Sequence, residues 1–341
     1  MRPSARAITL TIVSLAIVLV TSLLIWLGWD ATASDPQTTL DPLSDNARAV
    51  NDVYTLITIL AGVVMIGVLT LVLAFSFVFR ERPGHEAQQI HGNPRLEVFW
   101  TLIPVIIVVA IAVPSFQVIV DTTGDAPDKS VEVVATGHQW WFEFEYPELG
   151  ALTANELHLP VGRSINVELR SGDVIHSFWV PQLSGKVDMV PGHNNRLWFT
   201  PEQTGTFLGQ CAEFCGTSHA HMRFRVVVES EADFDAWVDS QLADAAPAQG
   251  TLAEAGEGIA TTICAACHTI RGTTAAGQIG PDLTHVASRT TLASGMFDND
   301  TDNLRDWLAD PPDVKPGSKM PNLNLTDEQL DQLVAYLQGL D

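Results

Sequence analysis

The sequence predicts a multidomain membrane protein, with an N-terminal transmembrane helical hairpin, a middle all-β domain and a C-terminal all-α domain. Three observations predict it. Uncharged stretches of bilayer length fill the N-terminal third. Period-2 alternation punctuated by Gly and Pro follows. Helical periodicity then returns beyond a small-residue linker. The length of 341 residues fits about two or three domains. Charged residues are only 17% and hydrophobic ones 46%, against roughly 25% charged in ordinary soluble chains. That balance excludes a mainly disordered chain and a wholly soluble one.

The hairpin rests on charge-free runs. Ile8–Trp29, Tyr54–Phe79 and Val98–Val120 span 22, 26 and 23 residues, where a bilayer core needs about 20 as a helix. The first follows Arg2 and Arg6 and ends at the small-x-small site Ala31-Thr32-Ala33. It reads as a signal peptide over 1–33, or as an extra transmembrane helix, because its apolar run exceeds the usual ~7–15 residues. The other two place a hairpin within 34–120, with helices over about 53–80 and 97–120. Arg80, Arg82 and Arg95 lie between them, so that loop is expected in the cytoplasm and everything after Val120 outside it. Pro104 and Pro114 fall inside the second helix, where kinks are expected.

Residues 121–242 form the all-β region. Ser130–Ala135, Arg163–Leu169, Arg196–Thr200 and Met222–Val228 alternate as half-buried strands do. Pro147, Pro160, Gly172, Pro181, Gly185, Pro191 and Gly205 punctuate them, which predicts a sandwich or barrel. Residues 243–251 read as a linker and 252–341 as a helical domain. Its clearest helix runs from Thr326 to Gly339, with Thr326 and Gln329 as a capping box. Leu330, Leu333, Val334 and Leu337 line one face of it.

The net charge of −22 is distributed unevenly: −2 over residues 1–120, −12 over 121–244 and −8 over 245–341. Nucleic acid is excluded as a partner, since its binding needs a basic footprint. The acidity fits electrostatic steering of a basic protein, or a solvated acidic surface alone.

The four cysteines form two close pairs, Cys211 with Cys215 and Cys264 with Cys267. A disulfide framework usually spreads its cysteines, so two ligand or attachment motifs are expected. The segment Cys211–Met222 adds His219 and Met222, and thiolate, imidazole and thioether together select soft copper. Two thiolates can bridge two coppers, and His176 is the candidate second imidazole. Zinc and a Cys211–Cys215 disulfide remain alternatives. Cys264-Ala-Ala-Cys267-His268 is the c-type haem attachment pattern, with a redox dithiol as the alternative. Met320 is the candidate second axial ligand, with Met296 the other methionine after the motif.

His176 with Cys211-x3-Cys215-x3-His219-x2-Met222 resembles the binuclear CuA site of cytochrome c oxidase subunit II. Asn93–Pro104 and Gly137–Tyr146 resemble that family's second transmembrane helix and aromatic segment. Residues 252–341 resemble a class I cytochrome c, in Gly256, the Cys264–His268 motif, Gly280–Leu283 and Tyr336. The resemblance implies a cupredoxin-like Greek-key domain followed by a cytochrome c domain. It implies bridging by Cys211 and Cys215, terminal ligation by His176 and His219, and weak ligation by Met222 and the Glu213 carbonyl. It further implies that the Glu213 carboxylate holds a Mg or Mn ion shared with subunit I. Trp140 matches the tryptophan through which electrons enter, although Trp141-Phe142 departs from the family's Tyr-Trp order. Glu97 matches a carboxylate at a proton-path entrance, and a plain interfacial glutamate is the alternative. Trp140, Trp179 and Trp198 also suit a sandwich core, and His138, His158, His193 and His221 carry no ligand pattern.

The implied function is the electron-input subunit of a bacterial haem–copper cytochrome c oxidase. Electrons would pass from a donor through haem c to CuA and on to subunit I, which reduces oxygen to water with proton translocation. Implied partners are subunits I and III, a basic cytochrome c or similar donor, and membrane lipid. The implied location is the bacterial cytoplasmic membrane, multi-pass, with both redox domains on the periplasmic side. The alternatives are the electron-input subunit of a CuA-type nitric oxide reductase and a membrane-anchored electron shuttle. A quinol oxidase subunit is disfavoured because that branch lacks the CuA ligands.

Overall fold

The computed structural model describes residues 37–79, 83–84 and 91–341. The expected signal peptide or extra helix over 1–33, and Arg80 and Arg82 of the basic loop, lie outside the described residues. Two compact units are present among the described residues: 37–41 with 48–122, and 42–47 with 123–341.

Helix α1 covers Asp45–Val78 and α2 covers Pro94–Thr123. Their most apolar windows have mean hydropathies of 2.8 and 2.6, and side chains such as Val63, Phe75, Ile106 and Phe116 face outward. Both helices exceed bilayer length. The structure corrects their starts, expected near 53 and 97. The Ser44 hydroxyl accepts the Ala47 N–H at 3.1 Å and donates to the Leu183 carbonyl at 2.6 Å. The Asp45 carboxylate accepts the Thr200 N–H at 2.8 Å. The first turn of α1 is thus polar and capped on the β domain, so a rule that seeks charge-free residues misses it. At α2 the Asn93 side chain accepts the Arg95 and Leu96 N–H groups at 3.2 and 3.3 Å, and Pro94 takes the first helical position, which needs no N–H. The helix continues through Pro104 and Pro114.

Residues 131–229 build a sandwich of two five-stranded sheets. One has the order β3-β2-β1-β5-β8, from Ala151–Ala154, Trp141–Tyr146, Val131–His138, Ile165–Ser171 and Asn195–Phe199. The other has the order β4-β10-β9-β6-β7, from Glu156–Pro160, Arg223–Glu229, Gly205–Cys211, His176–Trp179 and Val187–Met189. The chain repeatedly crosses from one sheet to the other, as Greek-key connections do, and β1/β5 and β4/β10 pair in parallel. Four of the strands coincide with the alternating segments read from sequence, because alternate residues face the core between the sheets. Phe224 is central there, with ring centroids 4.7, 5.5 and 4.9 Å from Phe142, Phe144 and Phe178. Helix α3, Glu231–Leu242, was not anticipated. It buries Phe234 and Val238 against the sandwich, and its Trp237 stacks on His158 at 4.3 Å.

Residues 243–250 carry no helix or strand. The helical region that follows contains α4 (Thr251–Ala260), α5 (Thr301–Ala309), the one-turn α6 (Pro311–Val314) and α7 (Asp327–Leu337), with a short β11–β12 pair at Thr291–Leu292 and Phe297–Asp298. The expected capping box at Thr326 and Gln329 is formed, and Leu330, Leu333, Val334 and Leu337 are buried. Helices α4 and α7 cross at Gly256. A Cβ there would lie 2.1 Å from the Gln332 carbonyl oxygen and 2.8 Å from the Tyr336 Cβ. No side chain fits that approach, so Gly256→Ala is expected to destabilise the helical domain by about 1–3 kcal/mol. Hydrogen exchange of α4 and α7 should quicken about tenfold or more, and unchanged exchange would show that the crossing can open without penalty.

Candidate functional site

The Cys211–Met222 loop connects β9 to β10 across an antiparallel hairpin. Its neck is closed by the Cys211 N–H, which donates to the Met222 carbonyl at 2.9 Å. Strand β6 lies beside β9, with Phe178 opposite Cys211, and so brings His176 to the same end of the sheet. Thirty-five positions of sequence are closed by one strand pairing.

The expected ligands converge. The Cys211 and Cys215 sulfurs are 3.7 Å apart. The His176 Nδ1 lies 3.9 Å from the Cys211 Sγ, and the His219 Nδ1 lies 3.6 Å from the Cys215 Sγ. The Met222 Sδ is 3.8 Å from the Cys215 Sγ, and the Glu213 carbonyl oxygen is 3.3 Å from the Cys211 Sγ. Both thiols are free and buried. Six donors converge here, and a single tetrahedral zinc takes four. Two thiols, two imidazoles, a thioether and a carbonyl fit a pair of soft ions.

The electrostatics agree. The close contact with the Cys215 sulfur lowers the Cys211 thiol from its usual range, with His176 and backbone groups assisting against burial. The Cys215 thiol is pushed up by its bond to Cys211, by burial and by the neighbouring negative charge. Ionising one sulfur thus opposes ionising its neighbour, and a nearby cation would favour both thiolates.

Asp173 orients His176, a role the sequence reading missed. Its Oδ1 is 2.8 Å from the His176 Nε2, so the Nδ1 is the nitrogen left facing Cys211. Burial opposes ionisation of Asp173, yet bonds from His176, the Gln139 and Val174 amides and Lys319 outweigh it and bring its pKa from 3.8 to about 2. An aspartate three residues before a candidate ligand was the available signal. His138 and His221 take no part in the ligand group. Glu97 belongs to the helical unit, where its carboxylate accepts the Asn93 N–H at 3.2 Å and caps α2.

The second candidate site is a cavity of about 370 Å³ lined by Cys267, His268, Pro281 and Met320, together with Trp140 and Arg289. That volume is typical of cofactor sites. The His268 Nδ1 donates to the Pro281 carbonyl at 2.7 Å, which leaves the Nε2 lone pair free for a metal. Burial lowers the His268 pKa and keeps the ring neutral. Cys264 is buried in the adjoining apolar cluster, and Met320 packs against the same cluster. Met320 lines the cavity and Met296 does not. These residues fit a haem held by two thioether links with His and Met as axial ligands.

Trp140 stands between the two sites. Its indole Nε1 donates to the Cys215 carbonyl at 3.1 Å, and the Gln139 amide donates to the same oxygen at 2.8 Å. Trp140 also lines the cavity and is buried, so its alternative as a core residue and its position beside both sites coexist. Phe142 is wholly buried in the sandwich, while Trp141 stacks on His138 at 4.5 Å.

Replacing Asp173 with Asn should weaken copper retention by about 10–100-fold, as read by competition with a chromogenic chelator. Equal retention would show that Asp173 does not orient the ligand. Because its pKa is depressed, the contribution of Asp173 to stability is present above about pH 4 and is lost as the pH falls through about 2.

The family description "Cytochrome C oxidase subunit II, transmembrane domain" matches residues 37–118, and "Cytochrome C oxidase subunit II, periplasmic domain" matches 151–231. "Cytochrome c" matches 253–341. Cytochrome c oxidase subunit 2 of Alkalihalophilus pseudofirmus is 36% identical over 312 residues, covering 89% of this chain and 90% of that one. The subunit of the same name from Bacillus sp. strain PS3 is 37% identical over 284 residues, covering 77% and 80%. Among solved structures, the periplasmic domain of subunit II of the Bradyrhizobium japonicum cytochrome oxidase is 32% identical, with a TM-score of 0.33, and covers 35% of this chain and 96% of that one.

Proposed function

This chain belongs to the cytochrome c oxidase subunit II family, and from that premise we propose that it takes electrons from a basic donor at a haem c held by residues 252–341 and passes them through a CuA centre held by residues 121–242 to subunit I. It is a membrane-anchored oxidase subunit with a soluble portion and a cytochrome c domain. In this reading both redox domains face the periplasm, and subunit I reduces oxygen with proton translocation. Haem iron and the dicopper pair would each supply one-electron redox chemistry with little change of ligand geometry.

The residues have separate tasks. Cys211, Cys215, His176 and His219 would hold the two coppers, with Met222 and the Glu213 carbonyl as weaker donors. The Glu213 carboxylate, a hard oxygen donor, suits the Mg or Mn ion shared with subunit I. Cys264 and Cys267 would attach the haem, and His268 and Met320 would ligate its iron. Glu97 remains a candidate for the proton-path entrance, next to its local work as a helix cap. The observation that carries the reading is Trp140, whose indole N–H is bonded to the Cys215 carbonyl while its side chain borders the cavity of His268 and Met320.

Rapid mixing of the purified oxidase complex with reduced donor tests the reading. Haem c should be reduced first and CuA second, and Cys215→Ser should abolish the second phase while sparing the first. Copper reduction ahead of haem, or with no dependence on Cys215, would contradict the order. The net charge of −22 also predicts that donor oxidation slows as salt rises from about 10 to 200 mM. A rate that does not respond to salt would contradict steering by these carboxylates.

A further inference from the structure

Lys315 is 4% exposed, although lysine is rarely buried without a counter-charge. Among the described residues no carboxylate forms an ion pair with it. Its Nζ instead donates to the Trp140 carbonyl at 2.7 Å and to the Ala293 carbonyl at 3.0 Å. Trp140 belongs to the sandwich, whereas Ala293 and Lys315 belong to the helical region. The ammonium therefore joins the segment carrying Met320 to the residue that caps the Cys215 carbonyl. The Ser294 hydroxyl donates to the same Trp140 oxygen at 2.6 Å. The loop also touches the indole itself: a Cβ on Gly317 would lie 2.9 Å from the Trp140 ring. A methionine would fill the volume of Lys315 without its desolvation penalty. What the ammonium adds is two directed bonds, one to each domain. Burial draws its pKa down to about 7, and a neutral amine still has a hydrogen for each carbonyl.

We propose that Lys315 is a positioning residue that clamps the Met320 loop onto the Trp140 carbonyl and so holds the haem-binding domain in register with the copper loop. It rests on the proposed function only for its consequence, the speed of electron transfer between the two sites. The clamp itself is a structural claim about this chain. The step it serves moves one electron from ferrous haem, leaving ferric haem, to the oxidised dicopper pair, and no bond forms or breaks.

The test compares the purified oxidase complex with its Lys315→Met and Ser294→Ala variants. In Lys315→Met, hydrogen exchange over residues 291–296 and 315–320 should quicken at least tenfold. Transfer from haem c to CuA should slow at least tenfold. The CuA spin-resonance signal and the donor-to-haem rate per bound haem should stay as in the parent, all rates being referred to bound haem because Lys315 and Ser294 also line the cavity. Ser294→Ala, which leaves Lys315 in place, should show the same pattern at two- to threefold. Unchanged exchange and transfer in Lys315→Met would overturn the proposal, as would a slowed donor-to-haem step, which would mark general damage. If Lys315→Met fails to take up haem, Ser294→Ala decides by the same criteria. If the parent complex passes no electron between the sites, the proposed function fails, and the exchange measurement still decides the clamp.

Discussion

Two sulfur atoms 3.7 Å apart in a buried loop set the conditions for the rest of the molecule. Left alone, the two thiols are shifted in opposite directions, one lowered and its neighbour raised. Full ionisation is favoured by positive charge nearby, and the surrounding donors determine which ions can supply it. The sandwich exists in part to hold that pair still. Strand β9 ends on Cys211, β10 begins after Met222, and β6 opens on His176. Strand pairing thus fixes His176 and Cys211 and closes the neck of the loop, and the loop itself carries Glu213, Cys215 and His219.

The same logic extends outward from the Cys215 carbonyl. That oxygen takes bonds from Gln139 and Trp140, and the Trp140 carbonyl in turn takes bonds from Ser294 and Lys315. A second connection runs along Lys319, Asp173 and His176, at 3.1 and 2.8 Å. Lys319 precedes the candidate axial ligand Met320. The two candidate redox sites are therefore linked by short polar contacts on two sides. Buried Glu156 adds a structural clasp, accepting the Thr290 and Thr291 N–H groups at 2.8 and 3.0 Å. Fixed geometry of this kind suits electron transfer, which gains nothing from motion once the centres are close.

Much of this was legible in the sequence, because the chemistry is carried by short local motifs. The Cys211–Met222 loop, the Cys264–His268 pattern and the Thr326 capping box each declare themselves within a few residues. Strand alternation was readable where one face is buried, as at β5. What was not legible depends on distant partners. The first turn of α1 is capped on residues 139 and 155 positions away. Helix α3 has a weakly amphipathic sequence and is recognisable mainly by the surface it covers. Lys315 looks like any surface lysine until the Trp140 carbonyl, 175 positions earlier, is placed beside it. Glu97 shows the reverse: a family motif drew attention to it, and the structure supplies a local bond as well.

The most direct test of the account is the copper and haem content of the full chain, produced with copper and the c-haem attachment machinery and examined by electron spin resonance. The account predicts two coppers per chain with a mixed-valence signal, and one haem bound covalently. A single copper, or zinc in its place, would contradict it. The six donors around Cys211 and Cys215 would then be serving a different ion, and the electron path past Trp140 would have no acceptor.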